Sequence, residues 1–260
     1  MAPTLQEYRG KFALSSSANS FSISTGTPQA CDLTVGRYYV AGYTSEATAQ
    51  LVEHIQAVMR TKSGFSAATC TYDPATGKVS LGFAATTSVT WTDVALRNLL
   101  GFTADLSGAS SYTATYQPKY IWRPTRAAAD YALQLNRFWE PASTSVAART
   151  RGGSSYGVAG STMYEGRVSY VMLPAADVRV PSTGSINAEL ETFFSDVLTV
   201  PMPVRIFPDR TIVTASGYVT GLFRPANEDE YGPLAGYVRR SQPSYDGLWD
   251  VDLSFFKHTE

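Results

Sequence analysis

Proton transfer, nucleophilic attack and metal binding need particular side chains held close together. Histidine, the most versatile of these near neutral pH, occurs only twice in the 260 residues. His54 follows Glu53 in a helical pattern, but no second histidine comes four residues later. The pairing that lets one helix face hold zinc is therefore missing, and a solvated helix residue is expected. His258 lies at the C-terminal end, where preorganised geometry is hard to maintain. Cys31 and Cys70 are too few to staple a scaffold or complete a four-ligand zinc site, so two small buried apolar side chains are expected. No Gly-x-Ser-x-Gly elbow occurs, and the run Gly152-Gly153-Ser154-Ser155-Tyr156-Gly157 lacks a strand-to-helix context and reads as a loop. Phosphate-cradling and dinucleotide-binding glycine loops are also missing. Asn227-Glu228-Asp229-Glu230 lacks the alternating spacing of a calcium loop and reads as a solvated turn. These residues predict no catalytic, cofactor or metal site, and a protein that is not an enzyme.

Charged residues make up 17% of the chain, against about 25% in an average soluble protein, and the net charge is -1. Such a chain offers no basic field to hold a phosphate backbone, so nucleic acid is not expected as its main partner. Sixteen tyrosines and four tryptophans could instead serve protein interfaces or stack on sugars. Trp91, Trp122 and Trp249 lie in strand-like contexts and read as packing residues, whereas Trp139, Tyr156 and Tyr164 lie in an irregular middle region and are the interface candidates. No apolar run approaches the roughly 20 residues of a membrane span, and the first residues lack a secretory pattern. Synthesis in the cytoplasm, with retention there or release without a signal peptide, is expected.

The elements that would position these residues follow from periodicity. Short alternating stretches at residues 21–24 and 33–40 predict strands. A helix capped by Thr44 or Ser45 carries Ala47, Leu51, Ile55, Val58 and Met59 on one face and stops at Gly64. Residues 70–72 and 79–83 flank Asp73-Pro74-Ala75-Thr76-Gly77, a hairpin signature in which proline presets a negative φ and glycine takes the left-handed position. A second helix, capped by Thr92, bears Ala95, Leu96, Leu99 and Leu100, and Gly101 with Phe102 suits a Schellman closure. A strand is predicted at 119–124. Further on come a strand at 167–173, a helix at about 185–197 with Ile186, Leu190, Phe193, Phe194 and Val197 buried, and strands at 204–207, 211–215 and 218–223. A last strand alternates Trp249, Val251, Leu253 and Phe255 against Asp250, Asp252 and Ser254. The expected fold is α+β, mainly β: two modules of antiparallel strands, each with one or two packed helices, at residues 1–126 and 166–260. Residues 127–165 would join them as an extended arm or long loop.

The C-terminal third, with Leu190-Glu191-Thr192-Phe193-Phe194, then residues 203–211 (PVRIFPDRT) and 248–253 (LWDVDL), resembles tail and baseplate proteins of tailed bacteriophages. The N-terminal unit resembles modules of viral structural proteins, through Gly36-Arg37-Tyr38-Tyr39, the Tyr72-Asp73-Pro74 hairpin and Leu99-Leu100-Gly101-Phe102. Together the matches span about two thirds of the chain through residues that shape a fold rather than perform chemistry. This resemblance implies a virion structural protein, closest to distal tail or baseplate-hub components. Such a protein would be synthesised in the host cytoplasm, assembled into a tail ring with copies of itself, and used to hold other tail proteins. Another virion position (tail tube, connector or capsid decoration) and a carbohydrate-binding adhesin are the alternatives.

Overall fold

Period-two alternation dominates the chain, and the computed structural model is accordingly mainly β. It describes residues 5–42, 50–128, 139–143, 146–149, 155–158, 162–178, 190–198, 202–212, 214, 216–223, 238–240 and 247–258. The first half contains β1 (Glu7–Leu14), β2 (Ser20–Ser24), β3 (Gln29–Asp32), β4 (Gly36–Tyr39), α1 (Leu51–Arg60), β5 (Thr69–Asp73), β6 (Lys78–Thr90), α2 (Val94–Leu99), β7 (Leu106–Thr113) and β8 (Ile121–Trp122). The second contains β9 (Trp139–Ser143), β10 (Val146–Arg149), β11 (Ser155–Val158), β12 (Thr162–Pro174), α3 (Ala175–Val178), α4 (Leu190–Leu198), β13 (Val204–Phe207), β14 (Val219–Phe223), β15 (Val238–Arg240) and β16 (Leu248–Lys257). A nine-stranded sheet runs β4-β1-β13-β14-β16-β12-β9, with β15 on β16 and β8 on β1. A five-stranded sheet runs β3-β2-β6-β5, with β7 on β6, and β10 pairs with β11. The strand pairings are antiparallel, which is the expected α+β, mainly β class.

Two apolar clusters hold these layers together. The first gathers Phe12, Ile23, Leu51, Ile55, Val79, Leu96 and their neighbours. The second gathers Tyr8, Trp122, Val168, Phe193, Ile206 and Phe255 with theirs. Strand β1 serves both: Glu7–Gly10 pair with Phe207–Val204 of β13, and Lys11–Leu14 with Tyr39–Gly36 of β4. Its first four residues are buried on both faces, so they do not alternate as a half-exposed strand would.

Local sequence chemistry explains the elements. In α1, Leu51, Val52, Ile55 and Met59 are buried along one stripe, and Gly64 follows at φ +83. Thr44, Ser45 and Ala47 lie outside the described residues. The residue before the helix is Gln50, whose amide oxygen accepts from the Gly42 N–H. The β5–β6 hairpin forms at the expected place: Asp73 accepts from the backbone of Ala75 and Thr76 and from the Thr76 hydroxyl, and Gly77 has φ +73. Asp93, not Thr92, caps α2, because its carboxylate reaches the Ala95 N–H at 2.7 Å. That helix closes as a Schellman motif, with Phe102 N–H donating to Arg97 O and Gly101 N–H to Asn98 O.

Two of the expected spans change, and a third is described only in part. The strand at 119–124 shrinks to Ile121–Trp122, since Tyr120 has φ +63 and cannot continue a pleat. Residues 211–215 form no strand among those described: Asp209 accepts from the Thr211 N–H and hydroxyl, and the Ile212 N–H closes back on Asp209 O, so the chain turns there. The third helix is described from Leu190, with Leu190, Phe193 and Val197 buried. Ile186 and the acidic run 227–230 lie outside the described residues, and so does the Phe194 side chain. The terminal strand has the expected wet and dry faces, Val251, Leu253 and Phe255 inward and Asp252 exposed.

Candidate assembly interface

From Trp139 on, the middle region predicted as an extended arm or long loop is strand wherever it is described, whereas Ala127 and Ala128 are not in a strand. β9 pairs with β12 from Trp139↔Gly166 to Ser143↔Thr162, and β10 then pairs with β11 from Val146↔Val158 to Arg149↔Ser155. The two ladders succeed one another in sequence along the same antiparallel pair of segments, together termed the ribbon, and residues 144–145 and 159–161 between them lie outside the described residues. Ser155-Tyr156-Gly157, expected in a loop, is strand because it pairs with β10; residues 152–154 lie outside the described residues. Pairing of β12 with β16 begins at Glu165↔Phe256, so Thr162–Tyr164 extend past it, and β10 and β11 have no third strand among the described residues.

All three interface candidates fall on this ribbon, with different surroundings. Trp139 is half-buried and packs against the second apolar cluster. Its indole lies over Gly221 of β14, where an added Cβ would sit 3.0 Å from the ring, and opposite Gly166. Two glycines thus leave room for a large ring, and Trp139 anchors the β9–β12 ladder to the core. Tyr164 is 43% exposed, and the Lys257 ammonium lies 5.2 Å from its ring centroid, a cation–π contact. The Tyr156 backbone lies opposite Ala148 in β11, and its side chain is outside the described residues. Pro141, exposed on β9, cannot donate a ladder hydrogen bond, so it blunts strand addition along that edge.

Sequence reasoning missed a buried charge cluster built on β1. The Glu7 carboxylate, fully buried, accepts from Arg9 Nε at 2.6 Å and from the Tyr72 hydroxyl at 2.9 Å, and it pairs with Arg123 Nε at 2.9 Å. Arg9 Nη1 donates to the carbonyls of Ala41 and Gly42. Its guanidinium lies over the rings of Phe207 and Tyr72, at 4.3 and 5.1 Å. Burial, reinforced by Glu7, raises the Tyr72 pKa well above the usual phenol value, so this group remains a donor. Burial, followed by the Arg123 charge, lowers the Arg210 pKa. A cleft of about 610 Å³ adjoins the cluster, bordered by Arg9, Gln50, Val52, Tyr72, Pro74 and Ile212. The signal was available only as unusual charge within apolar strands, Glu7 and Arg9 flanking Tyr8.

His54 differs from the solvated residue expected. It is half-buried, its Nε2 accepts from the Thr34 N–H at 2.9 Å, its ring stacks on Tyr38, and burial lowers its pKa, so the neutral acceptor form is favoured. Cys31 and Cys70 are buried free thiols, and burial pushes Cys31 up to about 11. Among the described residues, no three His, Cys, Asp or Glu side chains are grouped to hold a metal ion, and no helix is long and apolar enough to cross a membrane. The chain matches no protein-family model, no curated protein and no solved structure.

Proposed function

We propose that this chain is a structural subunit of a tailed-bacteriophage particle, a ring component of the distal tail or baseplate, which joins copies of itself and docks other tail proteins. The observation that carries this reading is the ribbon. A two-stranded hairpin is marginal by itself and gains stability from a third strand or a packed face, and β10–β11 lacks a third strand among the described residues. A neighbouring subunit would supply that cover, with Tyr164 and Tyr156 on the ribbon and Trp139 fixing its root. Low charge and abundant tyrosine suit large protein interfaces, and head-to-tail contacts that close give rings. The resemblance to tail and baseplate proteins in residues 190–194, 203–211 and 248–253 points the same way.

Excision of residues 144–161, with an Asn-Gly turn joining Ser143 to Thr162, tests the proposal. The expected variant keeps the far-UV circular dichroism per residue and thermal midpoint of the full chain but is monomeric in native mass spectrometry, where the full chain is a ring. A full chain that stays monomeric, or a variant that assembles as the full chain does, overturns it.

A further inference from the structure

We infer that the cleft beside β1 binds a carboxylate carried on an apolar body, with Arg9 as its anchor. Arg9 is 1% exposed and borders the cleft. Its Nε is engaged by Glu7 and its Nη1 by two backbone carbonyls, yet the buried Nη2 has no hydrogen-bond partner. Buried guanidinium groups normally have their donors satisfied, and this nitrogen is able to take a further acceptor. The surrounding carboxylates are already engaged. Glu7 serves Arg9, Arg123 and Tyr72, Asp209 holds the Thr211 turn, and Glu53, on the cleft border, accepts from the Gln56 amide.

The chemistry of the walls narrows the ligand. A volume of about 610 Å³ lies in the range of small-ligand clefts, and Val52, Pro74 and Ile212 offer apolar surface for a body of modest size. A single unsatisfied guanidinium nitrogen suits a monoanion, and the Glu53 carboxylate on the border disfavours a phosphate dianion. The carboxylate could belong to a free organic acid or to an acidic residue of another chain, and the chemistry at Arg9 is the same for both. This inference does not depend on the assembly reading.

Titration calorimetry of the full chain with phenylacetate, phenylacetamide and the blocked peptide acetyl-Phe-Asp-Phe-amide tests it. Phenylacetate is expected to bind at least about tenfold more tightly than its neutral amide. Ile212→Asp, at a border position 50% exposed, should weaken phenylacetate by at least about tenfold while leaving circular dichroism and thermal midpoint unchanged. A peptide that binds more tightly than phenylacetate assigns the carboxylate to another chain, and one that binds no more tightly assigns it to a free acid. Acid and amide differing by less than tenfold, an undiminished Ile212→Asp variant, or no binding of phenylacetate or peptide at about 10 mM overturns the inference.

Discussion

Glu7 is the residue on which the most charge converges. Arg9 and Arg123 share its carboxylate in a region where water is excluded, so replacing it by glutamine leaves two largely buried guanidiniums without a counter-charge. Breaking such a cluster by removing one partner typically costs about 3–5 kcal/mol. Glu7→Gln is therefore expected to lower stability in urea by that amount. Tyr72→Phe, which removes one donor and leaves both cations paired, should cost less, about 2 kcal/mol. Equal losses from the two changes would show that Glu7 acts only as a hydrogen-bond acceptor. The same strand carries a second unusual pair: Arg9 lies directly across from Arg205 in the β1–β13 ladder, an arrangement in which like charges repel. Ring faces offset it. Arg9 lies over Phe207 and Tyr72, and Arg205 lies 4.0 Å from the Tyr39 ring centroid and 4.6 Å from that of Tyr218.

Among the elements, α2 shows how a short helix is held. Six residues are far too few to be helical in isolation, so the helix depends on its Asp93 cap, its Schellman end and the burial of Leu96 and Leu99. Gly101 has φ +87, and a Cβ there would run into the Tyr116 carbonyl oxygen, while its own carbonyl accepts from the Tyr116 N–H. Gly101→Ala thus combines a disfavoured backbone conformation with a backbone clash. It is expected to cost more than about 1 kcal/mol, read as a lowered thermal midpoint. An unchanged midpoint would mean that the segment from Gly101 to Tyr116 relaxes freely. The β12 bulge is a comparable device: Met172 has φ +59, and its N–H is held by the Asp250 carboxylate where the register with β16 shifts.

At the level of the whole molecule, β1 couples what would otherwise be two independent cores. Tyr8 packs in one cluster, Phe12 and Leu14 in the other, on a single strand paired to both β13 and β4. Neither core can open fully without freeing a strand that also carries residues of the other. Denaturation followed by tryptophan fluorescence, with Trp91 reporting the first cluster and Trp122 the second, is expected to coincide with the loss of far-UV circular dichroism. Two separated transitions would show that the shared strand does not couple the cores.

Local chemistry alone determined the β5–β6 turn, the closure of α2 and the wet and dry faces of β16, because each depends on side-chain preferences within a few neighbouring residues. Composition likewise singled out Trp139, Tyr156 and Tyr164. Only the tertiary structure decided that the three share one ribbon and that Trp139 turns inward over Gly221, since a strand's neighbours are set by long-range pairing. The Glu7–Arg9–Tyr72–Arg123 cluster was illegible for the same reason: its members come from β1, β5 and the segment after β8, and nothing local to any of them indicates that the other charges will be there to make burial tolerable.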